Sequence, residues 1–325
     1  MLPRLILYLR MTVLTPGVVM ERYDLFWFMR RGGNVIVDLY NFFVFSALLL
    51  SLECVAMAYV SCIIQQVHWS PMITVIPFLV AFSIYNLNRK TDEDEDAINR
   101  QDRYAFTKRY EKPLFYATLL SIALALVLSA LHGILSLLAT AAPFLCGILY
   151  SFRWLPKRLG YRRLKEIPGV KNFVVGFAWA IFLSFLPVFL TNSMPDSRTA
   201  VTFLLFFVWG FMASLIPDIR DRAGDASAGV RTIPVIFGEV RTKALLTQAL
   251  LILGVPAVIF SYLFLPPYTT VLVIAANVYS HGCVYLLDRI RIRDFVADAL
   301  SDGQYIFFVF VIIIITSLHL WTTGT

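Results

Sequence analysis

Charge is scarce in this chain of 325 residues: Asp, Glu, Lys and Arg make up 15%, against 59% hydrophobic residues. That balance excludes an ordinary soluble domain and points to a polytopic chain embedded in a bilayer, as does the mean hydropathy of +0.74. Cysteine is rare too. The four present, Cys54, Cys62, Cys146 and Cys283, have no Cys-x-x-Cys spacing, so they offer neither a disulfide framework nor a thiolate metal centre and read as small apolar residues. No hydrophilic stretch is long enough for a separate domain, which makes residues 1–325 one integral-membrane unit. The opening MLPRLILYLRMTVL is interrupted by Arg10 and lacks a small-residue cleavage site. It reads as the start of an interfacial segment over residues 1–33 rather than as a signal peptide.

About 20 apolar residues cross the hydrocarbon as a helix. Residues 113–152 contain no Asp, Glu, Lys or Arg, and neither do 244–287. Each run is long enough for a helical hairpin, turning near His132-Gly133 and Pro266-Pro267. Single spans are expected at about 40–63, 71–88, 171–191, 199–217 and 304–322. The expected fold is therefore all-α with nine transmembrane helices. Acidic clusters follow the second helix and the sixth, suggesting two pseudo-repeated four-helix groups plus a ninth helix. Of the 28 Lys and Arg residues, all but Arg198 fall in the N-terminal segment or the even-numbered loops. The positive-inside rule then puts the N-terminus and both acidic clusters on the cytoplasmic face of the cell membrane. Topology accounts for the net charge of +7, and nucleic acid need not be invoked.

What charge there is gathers in two places. The run TDEDED sets five consecutive acids, Asp92 to Asp96, directly after an apolar segment. Asn88, just before it, and Asp92 and Asp96 within it stand four apart, so on a helix they drift by only about 40° per step and share one face. Asp94, Glu93 and Glu95 fall elsewhere around that helix, toward water. The second cluster, PDIRDRAGD, holds Asp218, Asp221 and Asp225, again on one side of a continuing helix. Hard oxygen ligands in pairs of clusters suit Mg2+ shared with phosphate oxygens, and a cation relieves the mutual repulsion of the carboxylates. An acidic run at a helix end is by itself often a solvated cap. The ladder Asp294, Asp298, Asp302 is read that way, as an exposed face paired with Arg289, Arg291 and Arg293. The two earlier clusters differ in sharing spacing, membrane face and position within their helix groups. Between them lies the basic loop YSFRWLPKRLGYRRLKEIPGVKN, residues 150–172. Most of its charge sets topology, and Arg163, Lys171 and Asn172 are candidates for binding diphosphate or acceptor.

These motifs resemble those of the UbiA superfamily of intramembrane prenyltransferases. Asn88, Asp92 and Asp96 match its NxxxDxxxD motif, and Asp218, Asp221 and Asp225 match its DxxDxxxD motif. GVRTIPVIFG, residues 229–238, is similar to the G-x-x-T-x-P-x-x-x-G continuation. Tyr150 and Lys165 match the Tyr and Lys of the family's basic loop, and Arg103 matches its Arg-rich segment. Two departures stand out: Arg89 follows Asn88 where many members have Asp, and a longer loop around Pro156–Arg162 sets Lys157 beside Lys165 as a rival. The resemblance implies Mg2+-dependent transfer of a prenyl group from a prenyl diphosphate to a lipophilic acceptor. The six motif residues would be metal-binding and catalytic, and Tyr150, Arg103 and Lys165 substrate-binding. Two other readings compete: a related cyclase that uses no acceptor, and a cation transporter. Transporters hold ionisable groups near the bilayer midplane; here only Asp38 and Glu53 lie well inside expected spans, which disfavours transport. The charge partition predicts that single cysteines near Asp92 and near Asp225 are labelled from the same, cytoplasmic side. Labelling from opposite faces would contradict this topology.

Overall fold

The computed structural model describes residues 35–151, 155–156, 158, 161–167, 169–227, 229–289 and 292–323. The interfacial segment expected at 1–33 lies outside them, as do Lys157 and the side chains of Tyr150 and Lys165. The chain divides into residues 1–43 and 44–325. The first unit contributes most of a short apolar helix, α1 (Val35–Phe45).

The second unit is entirely helical among its described residues. Its long helices are α2 (Leu48–Gln65), α3 (Pro71–Thr91), α6 (Glu111–Leu131), α8 (Val170–Leu190), α9 (Ser197–Arg220), α12 (Glu239–Phe264) and α13 (Pro267–Leu286). All seven are long and apolar enough to cross a membrane. Short helices α4 (Glu93–Asn99) and α5 (Gln101–Arg109) follow α3, α7 (Ile134–Ser151) follows α6, and α10 (Arg222–Ser227) and α11 (Ile233–Phe237) follow α9. After α13 come α14 (Arg293–Phe295), a π-helical turn at Val296–Leu300, and α15 (Gln304–Thr323).

Nine spans were expected, and the described residues hold seven, or eight if the last bent pair is one span. The expected fourth is the shorter apolar helix Ile134–Leu149. A break lies just before the expected ninth: Arg293–Leu300 and Gln304–Ile314 meet at 60°. The helix there winds a turn too wide, with Ser301 N–H donating to Val296 O at 2.8 Å. Widened turns of this kind bend a helix without stranding its polar groups. The start of the first expected span differs too. Ala47 takes a left-handed φ of 68°, so α1 ends at Phe45 and α2 begins at Leu48.

Helices α2 and α8 are central, with 56% of their apolar windows buried, whereas α6 and α12 bury only 22% of theirs and offer the remainder to lipid. Phe182, Phe206, Ile64, Ile76 and Val80 fill the space between the central helices. Hydrocarbon gives little drive for helices to associate, so close approach and internal hydrogen bonds matter more. Both occur between α8 and α9. A Cβ on Gly176 would come 2.9 Å from Phe207 O and Phe211 N, and one on Gly210 would come 3.2 Å from Gly176 Cα. At the end remote from the acidic clusters, buried Gln65 donates to Ser184 O at 2.9 Å and accepts from Thr199 Oγ1 at 2.7 Å. Asp196 caps α9 there, accepting from Arg198 N–H at 2.8 Å.

Glu53, deep in α2, is buried without a cation. Its carboxylate accepts from Tyr305 N–H at 2.9 Å and Ile306 N–H at 3.0 Å. It thus covers the free amides that begin α15, where the helix dipole favours a negative group. Gly176→Ala is expected to push α9 away and to destabilise the protein by about 1–3 kcal/mol, the range for overpacking. Thermal unfolding in detergent checks this, and an unchanged midpoint would mean that the contact yields freely.

Candidate functional site

Asn88 and Arg89 occupy the last turn of α3. Asp92 joins α3 to α4 with φ −113° and ψ 25°, a departure from helical geometry. The hydrogen-bond ladder nevertheless runs on, Asp92 N to Asn88 O and Asp96 N to Asp92 O, both at 2.9 Å. The four-residue spacing therefore keeps its face through the bend. Asp96 is buried and held by Arg103, whose Nε donates to Oδ2 at 3.1 Å and whose Nη2 pairs with Oδ1. Glu93 turns the other way, to Lys90 at 2.8 Å and Lys108 at 2.6 Å.

The second cluster begins in the last turn of α9. Asp218 is 2% exposed; it pairs with Lys171 Nζ at 2.5 Å and accepts from Asn172 Nδ2 at 3.0 Å. Arg220 grips Asp221 with two parallel bonds, Nε to Oδ1 at 2.6 Å and Nη2 to Oδ2 at 2.7 Å. Burial pushes the Asp221 carboxyl up, and the Arg220 pair more than offsets it, holding the group below the usual carboxylate value. Asp225, on α10, is buried, and among the described residues its Oδ2 has no hydrogen-bond partner. Desolvation pushes its carboxyl up to about 7; Asp218 and Asp221 add to the rise and Lys171 opposes it. Burial and two neighbouring carboxylates both favour the neutral form of such a group.

Both clusters line one cavity of about 300 Å³, with Asn88, Asp92, Asp96, Asp218, Asp221 and Asp225 all in its wall. Arg103 and Lys171 line it as well. The wall then changes character. Leu50, Cys54, Met57, Val175, Trp179 and Trp209 form an apolar part, with Tyr85 stacked on Trp179 at 5.9 Å between centroids. Among the described residues no three His, Cys, Asp or Glu side chains converge as a ready-made chelate. Asp96, Asp218 and Asp221 hold Arg and Lys side chains instead. The donor set is nonetheless oxygen throughout, carboxylates with one carboxamide, and suits a hard divalent cation such as Mg2+, with the orphaned Asp225 oxygen a free ligand position.

Two sequence candidates fall outside the cavity wall. Arg163 is occupied by Glu166 three residues on, Nε to Oε1 at 2.9 Å, within a tight turn. Asn172 is fully buried behind Asp218 and also donates to Ser214 Oγ at 2.8 Å, so it supports Asp218 rather than facing the cavity.

The third acidic ladder corrects the sequence reading. Asp294 is exposed as expected, but Asp298 is 7% exposed and pairs with Arg100 and Arg220 rather than with Arg289 or Arg293, while Arg291 lies outside the described residues. Asp302 lines the cavity. The widened turn at Val296–Leu300 rotates these residues inward, which four-residue spacing alone cannot reveal. Arg89 was noted only as a departure from the motif. It is buried and donates to the carbonyls of Phe45 and Val44, at 2.5 and 2.8 Å.

Residues 47–312 match the model of the UbiA prenyltransferase family. The chain is 28% identical over 178 residues to the polyprenyl transferase eriF of Hericium erinaceus, covering 53% of this chain and 55% of that enzyme. It is 25% identical over 203 residues to the digeranylgeranylglyceryl phosphate synthase of Methanothrix thermoacetophila, covering 62% and 69%. A third relative is the chloroplastic 2-acyl-4-prenylphloroglucinol 6-prenyltransferase of Humulus lupulus, 26% identical over 265 residues, covering 75% and 62%. The chain thus spans little more than half the length of the first of these. Among solved structures, the fold matches the apo UbiA homologue of Aeropyrum pernix K1 at a TM-score of 0.61, with 14% identity, covering 81% of this chain and 98% of that one. The Archaeoglobus fulgidus homologue bound to GPP and Mg2+ gives 0.57, with 14% identity, covering 83% and 99%.

Proposed function

The chain belongs to the UbiA prenyltransferase family, and from that premise we propose that this multi-pass membrane protein transfers a prenyl group from an isoprenoid diphosphate to a lipophilic acceptor. The observation that carries this reading is the cavity itself, with two carboxylate clusters at one part of its wall and aromatic, apolar side chains over the rest. The homologue with GPP and Mg2+ bound supports the choice of ligand class and ion. Asn88, Asp92 and Asp96 on one side and Asp218, Asp221 and Asp225 on the other would hold Mg2+. The ion supplies charge compensation to a departing diphosphate.

The chain's own residues do the rest. Lys171 and Arg103, now paired with Asp218 and Asp96, are placed to exchange those partners for diphosphate oxygens. The carbon–oxygen bond at C1 of the prenyl chain breaks, the electron pair leaves with diphosphate, and an allylic cation remains. Tyr85, Trp179 and Trp209 offer it π faces in a wall that excludes water. The acceptor bonds to C1 and loses a proton. The Lys/Arg partition supports a cytoplasmic position for the diphosphate end of the cavity. Membranes holding the protein, incubated with several prenyl diphosphates and candidate acceptors and read by mass spectrometry, identify the acceptor or a cyclised product. Asp92→Ala and Asp218→Ala are each expected to lower turnover at least about 10²-fold, the scale of removing one preorganised electrostatic group. The double variant should be little worse than either, because the groups act as a unit. Chelation should abolish turnover and Mg2+ restore it. Near-normal turnover in either folded single variant would sink the shared-site reading.

A further inference from the structure

Asp298 belongs to neither carboxylate cluster, yet it touches a residue beside each: Arg100 just after the first, and Arg220 between Asp218 and Asp221 in the second. Its Oδ2 pairs with Arg100 and its Oδ1 accepts from Arg220 Nη1 at 2.5 Å. Arg100 directly follows α4, the helix that carries Asp96. Arg220 is the residue whose other edge grips Asp221. All three members are at least nine-tenths buried at the side chain, with exposures of 9%, 8% and 6% for Arg100, Asp298 and Arg220. A second tie runs in parallel. Asn99 Oδ1 accepts from Gly224 N–H at 2.9 Å, between Asp221 and Asp225 in sequence. Gly224 leaves room for it, since a Cβ there would fall 2.2 Å from Asn99 Nδ2.

The two guanidiniums and two carboxylates, Arg100, Arg220, Asp298 and Asp221, form a closed set whose formal charges cancel. Buried ion networks of this kind contribute little net stability compared with apolar packing, because desolvation consumes most of the attraction. What they supply is fixed geometry, since a guanidinium held along two edges cannot turn. We propose that Asp298 is a positioning residue that sets the separation and aim of the two carboxylate clusters. It does so by holding Arg220 in the plane from which it orients Asp221, and by anchoring Arg100 and with it the end of the first cluster. The widened turn at Val296–Leu300, a feature that recurs at functional sites, delivers its carboxylate to that place. This inference rests on the metal–diphosphate reading above.

The test is Mn2+ binding to the purified full chain, followed by electron paramagnetic resonance without substrate, for wild type, Asp298→Asn and Asp298→Glu. Asp298→Asn leaves two buried guanidiniums short of a partner and risks misfolding. Asp298→Glu keeps every charge and displaces the carboxylate by one methylene. Both are expected to bind Mn2+ about tenfold or more weakly, the usual effect of removing a group that orients metal ligands. The Mg2+ concentration for half-maximal turnover should rise in step. A merely structural role would lower the unfolding temperature and leave metal affinity alone, so wild-type affinity in folded Asp298→Glu would overturn the proposal. Wild-type protein that binds no Mn2+ would remove the metal reading itself and this inference with it.

Discussion

Carboxylates crowded against hydrocarbon repel one another and are poorly solvated, and the part of this fold that holds both acidic clusters is organised around that constraint. Asp96, Asp218 and Asp221 are buried or nearly so, each beside a cation: Arg103, Lys171 and the neighbouring Arg220. Asp225 is the exception, with an unsatisfied oxygen and a carboxyl pushed up to about 7. Counter-charges therefore hold these carboxylates in place, and in the proposed reaction the same counter-charges would meet the diphosphate. In the proposed reaction a metal–diphosphate complex would exchange one set of neutralising partners for another, so that no naked carboxylate need face the apolar part of the cavity.

The helices serve this arrangement in simple ways. Both clusters stand at the C-terminal ends of long spans, α3 and α9, where apolar sequence gives way to the aqueous boundary. Close packing of α8 on α9 through Gly176 and Gly210 brings Lys171 and Asn172 onto Asp218. The break before α15 turns Asp298 and Asp302 inward, and Glu53 satisfies the exposed amides that the break creates. An irregular backbone at membrane depth persists only where its polar groups find partners, and here each side of the break has them.

Much of this was legible in the sequence because it is local. Helical spans follow from uninterrupted apolar runs, and the shared face of Asn88, Asp92 and Asp96 follows from four-residue spacing, which survives even the bend at Asp92. The resemblance of the motifs to one family rested on the same residues. What was not legible depends on distant partners. Spacing made Asp298 look like part of a solvated face; its burial comes from Arg100 and Arg220, 198 and 78 residues away. Arg163 looked available in a basic loop, but Glu166 takes it up within one turn. Among the described residues seven candidate spans stand, or eight with the bent pair, against the nine expected; the difference lies at the shorter apolar helix Ile134–Leu149 and at the 60° break.

The central claim is that the two carboxylate clusters share metal ions across one diphosphate. Anomalous scattering from crystals grown with Mn2+ and a non-reactive prenyl thiolodiphosphate tests it most directly. The account predicts metal peaks in the cavity flanked by Asp92 and Asp96 on one side and by Asp218, Asp221 and Asp225 on the other, with diphosphate oxygens between them. Diphosphate bound in the cavity with no metal at either cluster, or metal seated only elsewhere, would contradict it.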